Sequence, residues 1–298
     1  MSNTICLNDE FSTTRLLTRK EPIVANNKGK HKTMLFIPHN KEQINHGGLR
    51  TKGYFKSSYP QKSLLSIITV VYNGESFLEK TIKSVLSQPY DNIELIIIDG
   101  GSTDNTVKII KKYEEQIDYW VSERDQGIYD AMNKGIDVST GDGLFFLNAG
   151  DYFVGNIINN NLHIPSFVPV KYINALGKLV DMPIQDIKFG LPICHQGIIF
   201  GRKDIRYDLT YQISSDYDYY LNHGYRYLEF FKNDGYVFYD TTGVSSINVK
   251  ARNKDVENII YKHFGLYATL KYSIRTSIIN ILLSMRHIFI KRLYSHQR

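Results

Sequence analysis

Between residues 64 and 147, short β-branched apolar runs alternate with segments of helical period, and each run stops at a polar turn. The runs are Leu64 to Val71, Ile93 to Ile98, Ile117 to Val121 and Gly143 to Leu147. Between them, Glu75 to Ser87, Val107 to Tyr113 and Tyr129 to Val138 carry apolar residues at three- and four-residue spacing. Few folds satisfy that alternation. It demands right-handed crossovers and a mainly parallel sheet covered by helices on both faces. In such sheets ligands gather at the carboxyl ends of the strands. Four polar stretches fall there: Tyr72-Asn73-Gly74, Asp99-Gly100-Gly101, Ser122-Glu123-Arg124-Asp125 and Asn148-Ala149-Gly150-Asp151. No Gly-x-Gly-x-x-Gly follows the first run and no Gly-Lys-[Ser/Thr] loop occurs, which argues against a dinucleotide enzyme or a phosphate-loop ATPase.

Outside this block the texture changes. Residues 1–62 are polar and read as an irregular arm, packed through Tyr54 and Phe55. After Phe153 the pattern turns α+β: strands over Phe167–Ile173 and His195–Gly201, a helix over Ser215–Asn222, and a hairpin from Tyr227–Phe231 and Tyr236–Tyr239. Cys6 and Cys194 are the two cysteines, with neither metal spacing nor a disulfide framework, which suits a reducing compartment. The first twenty residues hold no apolar signal core and no apolar run reaches the length of a membrane span, so neither a leader nor a transmembrane helix is expected.

The net charge of +6 is concentrated: Lys250 to Arg298 carries ten Lys/Arg against two acids, leaving the rest of the chain slightly acidic. A nucleic-acid binder more often carries its charge on the folded domain, and no zinc-finger or RNA-recognition signature is present, so no nucleic-acid partner is expected. In the tail, Ile260, Phe264, Tyr267, Leu270, Ile274, Ile278, Ile281, Met285 and Ile288 recur at three and four. Lys271, Arg275, Arg286 and Arg292 flank that stripe. This is an amphipathic helix, or two helices broken near Gly265, fit either to lie on an anionic membrane surface or to dock on the domain. The 22 tyrosines suit a sugar cleft or a membrane surface, or reflect biased composition.

The stretches "LSIITVVYNGESFLEKTIKSVLSQ", "ELIIIDGGSTDNT", "GIYDAMNKGI" and "GLFFLNAGDYF", in this order and spacing, resemble the family 2 inverting glycosyltransferases of the GT-A fold. "PICHQGIIF" and "SSDYDYY" are similar to a branch that builds bacterial surface polysaccharides such as O-antigen. The resemblance implies a nucleotide-sugar-binding half (63–155) and an acceptor-binding half (156–250), flanked by the arm (1–62) and the basic amphipathic tail (251–298) that the sequence texture sets apart. It implies transfer of a hexose from a nucleotide sugar, UDP-linked, to a hydroxyl of a polyprenyl-diphosphate-linked saccharide at the inner face of the cytoplasmic membrane, assisted by Mn²⁺ or Mg²⁺.

The chemistry needs a neutralised diphosphate, a base for the acceptor hydroxyl and aligned reactants. The resemblance places Asp99 by the nucleobase and ribose; an Asp before Gly-Gly is equally a turn residue. Tyr72 would stack beside the base. Arg124 would meet the diphosphate, whereas Lys134 reads as solvated. Asp130 would lie near the sugar, or serve the helix start. Asp104 reads as a helix cap. Where the family carries Asp-x-Asp-Asp, this chain has Asn148, Ala149, Gly150 and Asp151. Asp151 is the remaining carboxylate and the expected metal ligand, with Asn148 offering an amide oxygen. Asp216 is the expected general base, ahead of Asp218. His195 would reach the donor, and as a metal ligand it would partly replace the acid missing at 150. Two other readings remain: a catalytically degenerate nucleotide-binding or interaction module, and a sugar-phosphate nucleotidyltransferase, which would need a glycine-rich basic loop where Tyr72-Asn73-Gly74-Glu75 stands.

Overall fold

The computed structural model describes residues 4–22, 33–38, 43–225, 228–241 and 248–295, with only the backbone beyond 278. The central block folds as β2 (Leu65–Val71), α1 (Leu78–Leu86), β3 (Ile93–Asp99), α2 (Thr106–Lys112), β4 (Tyr119–Glu123), α3 (Ile128–Val138) and β5 (Gly143–Phe146). These strands run parallel in the order β4-β3-β2-β5. Every residue of β2 and β3 is buried, because helices cover both faces. Along β3, Ile93, Leu95 and Ile97 face the core under α1 and α2, while Ile96 and Ile98 face the core under α3. The near-continuous apolar runs are what such two-sided burial requires. Each fully buried side chain of this kind contributes about 1.5–3 kcal/mol.

Three further strands complete one edge of the main sheet: β7 (Ser166–Phe167), β10 (Ile198–Gly201) and β11 (Glu229–Phe230). They extend it as β5-β10-β7-β11, with β10 antiparallel to β5. A second sheet has the order β6-β12-β8-β9, from β6 (Tyr152–Asn156), β12 (Asp234–Phe238), β8 (Val170–Ile173) and β9 (Leu179–Asp181). The expected strand over 167–173 is therefore two strands. The chain leaves the main sheet after Phe167 and joins the second sheet at Val170, with Pro169, which has no N–H to give a ladder, at the crossing. The expected hairpin does not form. β11 pairs with β7 and β12 pairs with β6 and β8, in different sheets; Tyr227 lies outside the described residues.

The N-terminal arm holds more structure than its polar sequence suggests. β1 (Gln43–Gly47) adds an antiparallel edge to β4. Leu17 and Leu49 are wholly buried, and Phe55 is buried while Tyr54 carries the Arg19 guanidinium on its ring. Arg50 reaches through to pair with Glu94 of β3 at 2.5 Å, both side chains buried. Two helices pack on the second half: α4 (Ser215–His223), and α5 (Val249–Ser295), which breaks at Gly265, where φ is 78°. No described helix is long and apolar enough to cross a membrane.

Candidate active site

At the carboxyl ends of β2 and β3 the two loops interlock. Asn73, in the left-handed region at φ 50°, accepts the Thr103 N–H, and its own N–H goes to Ser102. Asp104 takes the N–H groups of Thr106 and Glu75, one residue ahead of the cap position of α2, which is Asn105. Tyr72, 64% exposed, projects from this rim. Asp99 does not. It has no exposure, and its oxygens receive the Ser102 N–H, the Ser102 hydroxyl and the Ser122 hydroxyl. Its place is inside the turn, and the expected contact with a nucleotide is corrected: every approach to its carboxylate is filled by the protein.

A carboxylate nevertheless lies at this point. A Cβ on Gly100 would collide with Asp125, which accepts the Gly127 N–H at 2.9 Å. Burial, with smaller contributions from Asp130 and Asp99, pushes the Asp125 pKa above its ordinary value. Arg124 is exposed beside it. Lys134 is tied down, paired with Glu123 and Asp130 and bonded to the Arg124 carbonyl. Asp130 accepts the Gln126 N–H at 3.0 Å, so it serves the start of α3.

The turn after β5 is where the acid is missing. Gly150 sits at φ 106°, a conformation that favours glycine. A Cβ there would stand 3.5 Å from Oδ2 of Asp240. The antiparallel register Tyr152↔Phe238 explains this: β6 begins just after Asp151 and β12 ends just before Asp240, so both ends arrive at one turn. The Asp240 N–H donates to Oδ1 of Asp151 at 2.8 Å. Asp151 is 4% exposed, and burial, with the neighbouring charge of Asp240, pushes its pKa up to about 8. Oδ1 of Asn148 is buried without a hydrogen-bond partner. Among the described residues no three His, Cys, Asp or Glu side chains cluster as a metal site; this turn offers two carboxylates and one amide oxygen.

Asp216 enters from the first turn of α4. It is half-buried, accepts the Tyr217 N–H at 2.9 Å, and burial raises its pKa to about 6. Asp218 faces the other way, 1% exposed, held by Lys262 at 2.9 Å and His263 at 2.7 Å. Cys194 packs at the edge of the core under α1 and α2. Burial pushes its thiol far above the usual range, and the negative charges of both Asp151 and Asp216 act in the same direction. Both acids therefore lie near enough for their charge to act on this one side chain.

His195 is a correction. It is 2% exposed, with Nε2 at 2.6 Å from the Tyr207 hydroxyl and its ring against Phe146 and Phe200. Burial, with the nearby His223, drops its pKa to about 3, so it is a neutral core side chain. It neither reaches a donor nor stands in for the missing acid. The sequence reading missed Asp125 and Asp240. Asp240 follows the apolar run Tyr236–Tyr239 as an acid follows other strands, but its partner turn lies 89 residues earlier, and only the register reveals it.

Residues 66–156 match the sequence profile of the family described as Glycosyl transferase family 2. An uncharacterised glycosyltransferase of Mycobacterium tuberculosis is 47% identical over 92 residues, 30% of this chain and 35% of that protein. A PGL/p-HBAD biosynthesis glycosyltransferase of Mycobacterium bovis is 29% identical over 175 residues, 52% of this chain and 68% of that protein. The chain thus spans about a third of the length of the first of these curated relatives. Among solved structures, S. aureus TarS 1-349 in complex with UDP is similar at a TM-score of 0.51 and 16% identity, covering 67% of this chain and 65% of that one. The mannosyltransferase PcManGT from Pyrobaculum calidifontis, in complex with GDP-Man and Mn²⁺, is similar at 0.51 and 14%, covering 68% and 64%. The fold is the α/β GT-A fold.

Proposed function

We propose that this chain is an inverting glycosyltransferase that moves a hexose from a nucleotide sugar, UDP-linked, to a hydroxyl of a lipid-diphosphate-linked saccharide in bacterial surface-polysaccharide assembly. The observation that carries the reading is the turn after β5, where the Asp240 N–H donates to Asp151 beside the unsatisfied amide oxygen of Asn148, at the carboxyl edge of the parallel sheet. Support also comes from the family match over 66–156 and from the UDP and GDP-Man complexes of the two similar structures.

In this reading Asp216 accepts the proton of the acceptor hydroxyl. The freed oxygen attacks the anomeric carbon from the side opposite the diphosphate, and the bond to the diphosphate breaks. A base titrating at about 6 is mostly ionised at neutral pH yet keeps useful proton affinity. Tyr72 stacks on the nucleobase at the rim, and Asp125, in the space over Gly100, is the carboxylate offered to it. Arg124 faces the diphosphate. The all-oxygen donor set and the unsatisfied Asn148 Oδ1 fit a hard divalent cation, so Asn148, Asp151 and Asp240 would hold Mn²⁺ or Mg²⁺. Bound there, the ion would offset the charge gathering on the leaving diphosphate.

The basic tail suits the inner face of the cytoplasmic membrane, where a polyprenyl-linked acceptor lies. Leu266, Leu270, Ile274 and Ile278 form an exposed stripe at four-residue spacing, with Lys271 and Arg275 beside it. One observation favours a second reading, a degenerate binding module: among the described residues no third acid joins Asp151 and Asp240.

The test is a panel of nucleotide sugars with a synthetic sugar-diphosphate-lipid, products read by mass spectrometry. Wild type should form a glycosylated lipid with one donor. Asp216→Asn should lose about 10²- to 10⁴-fold in kcat while binding the donor as before. No product with any donor, or an Asp216→Asn variant as active as wild type, would overturn the reading.

A further inference from the structure

The turn that delivers Asp216 is not held by its own sequence. Ser214, at the start of α4, makes no capping bond with its side chain. The two backbone N–H groups of Ile213 and Ser214 donate instead to one carboxylate oxygen, Oδ2 of Asp255, at 2.7 and 3.3 Å. Asp255 belongs to the first half of α5 and is 7% exposed. The carbonyl of Ile213 is held by the Tyr129 hydroxyl of α3. Two turns further along α5, Lys262 and His263 hold Asp218, on the far side of Asp216. Between these polar ties Val256, Ile259 and Ile260 pack against Tyr217.

We propose that Asp255 is a positioning residue for the base: by holding the N–H groups of Ile213 and Ser214 it fixes the turn from which Asp216 enters the cleft, so that transfer depends on the tail helix being docked on α4. The inference rests on the reading of Asp216 as base. The groups around Asp216 are Asp255 from α5, Tyr129 from α3, Tyr207 from the segment before α4, and Cys194. Burial is the main reason Asp216 holds its proton more tightly than a free aspartate, and the charge of Asp255 adds to it. Removing that charge lowers the midpoint, so the acidic limb of the rate profile moves to lower pH.

The experiment uses the full chain and two variants, Asp255→Asn and Asp255→Ala. The titration of the Asp216 carboxyl is followed by carbon NMR, amide exchange is measured at Ile213 and Ser214, and kcat and KM are read against pH with the donor that serves wild type. Asp255→Asn should lower the Asp216 midpoint and shift the acidic limb with it. Asp255→Ala should speed exchange at both amides and lose about ten- to a hundredfold in kcat at unchanged donor KM. If Asp255→Ala does not fold, Asp255→Asn carries the test alone. An unmoved Asp216 midpoint with unchanged exchange overturns the inference, whether or not the chain transfers sugar. A moved midpoint and faster exchange in a chain that transfers nothing support the positioning and overturn the transferase reading.

Discussion

Gly150 and Gly100 share a pattern that the order of residues along the chain conceals. At each, a glycine stands at a strand's end beside a carboxylate from a distant segment: Asp125 fills the space a side chain on Gly100 would take, and Asp240 stands 3.5 Å from where a Cβ on Gly150 would lie, in ordinary contact. At 150 the left-handed backbone gives a further reason, since an L-residue there costs on the order of 1 kcal/mol or more. Local motif reading finds a lost acid; the folded chain shows one returned from elsewhere. Asp240→Ala should therefore weaken manganese-dependent UDP binding by at least about tenfold, a loss typical of removing a ligand's support and exceeded when the ligand itself goes. His195→Gln, in the aromatic core, should leave that binding unchanged. Calorimetry with UDP, with and without Mn²⁺, separates the two. Equal effects would return His195 to the metal.

Among the elements, those from residue 64 to 147 were legible because their pattern is local: a strand buried on both faces is apolar at every position, and a crossover helix is apolar on one side. The β7–β8 break and the parting of β11 from β12 were not legible. A two-residue strand carries no period, and which strand it pairs with depends on where remote chain has already been laid. The tail helix divides in the same way. Its spacing announces an apolar stripe, but only packing shows that Val256, Ile259 and Ile260 are covered while Leu266, Leu270 and Ile274 are exposed. Asp218 belongs to that packing. Asp218→Ala strands the partly exposed Lys262 and His263 beside α4, and should cost about 1–3 kcal/mol, read as a lower denaturant midpoint at constant slope.

For the whole molecule, the arm is the surprise. Arg50 crosses from it into the sheet, where Glu94 accepts from its guanidinium at 2.5 Å and also from Ser66 and Thr140. Burial alone would raise the Glu94 pKa, but Arg50 and these bonds hold it below its ordinary value. Arg50→Ala leaves a buried carboxylate without its cation, so a loss of about 3–5 kcal/mol is expected, visible as a large fall in melting temperature. In the tail helix Leu270 and Ile274 face outward. Leu270→Asp with Ile274→Asp should abolish co-sedimentation with vesicles containing anionic lipid and leave neutral vesicles unaffected. Residue order by itself determined the parallel α/β block and the polar loops at its carboxyl edge, because both are written in spacings shorter than a helix or a strand; of the expected tail stripe, Ile281, Met285 and Ile288 lie beyond the described side chains. Tertiary structure alone decided that Asp99 and His195 turn inward, that Asp125 comes to lie over Gly100 and Asp240 beside Gly150, and that the tail holds the turn bearing Asp216. Those outcomes depend on strand register and helix docking between residues tens of positions apart, and no local spacing encodes them.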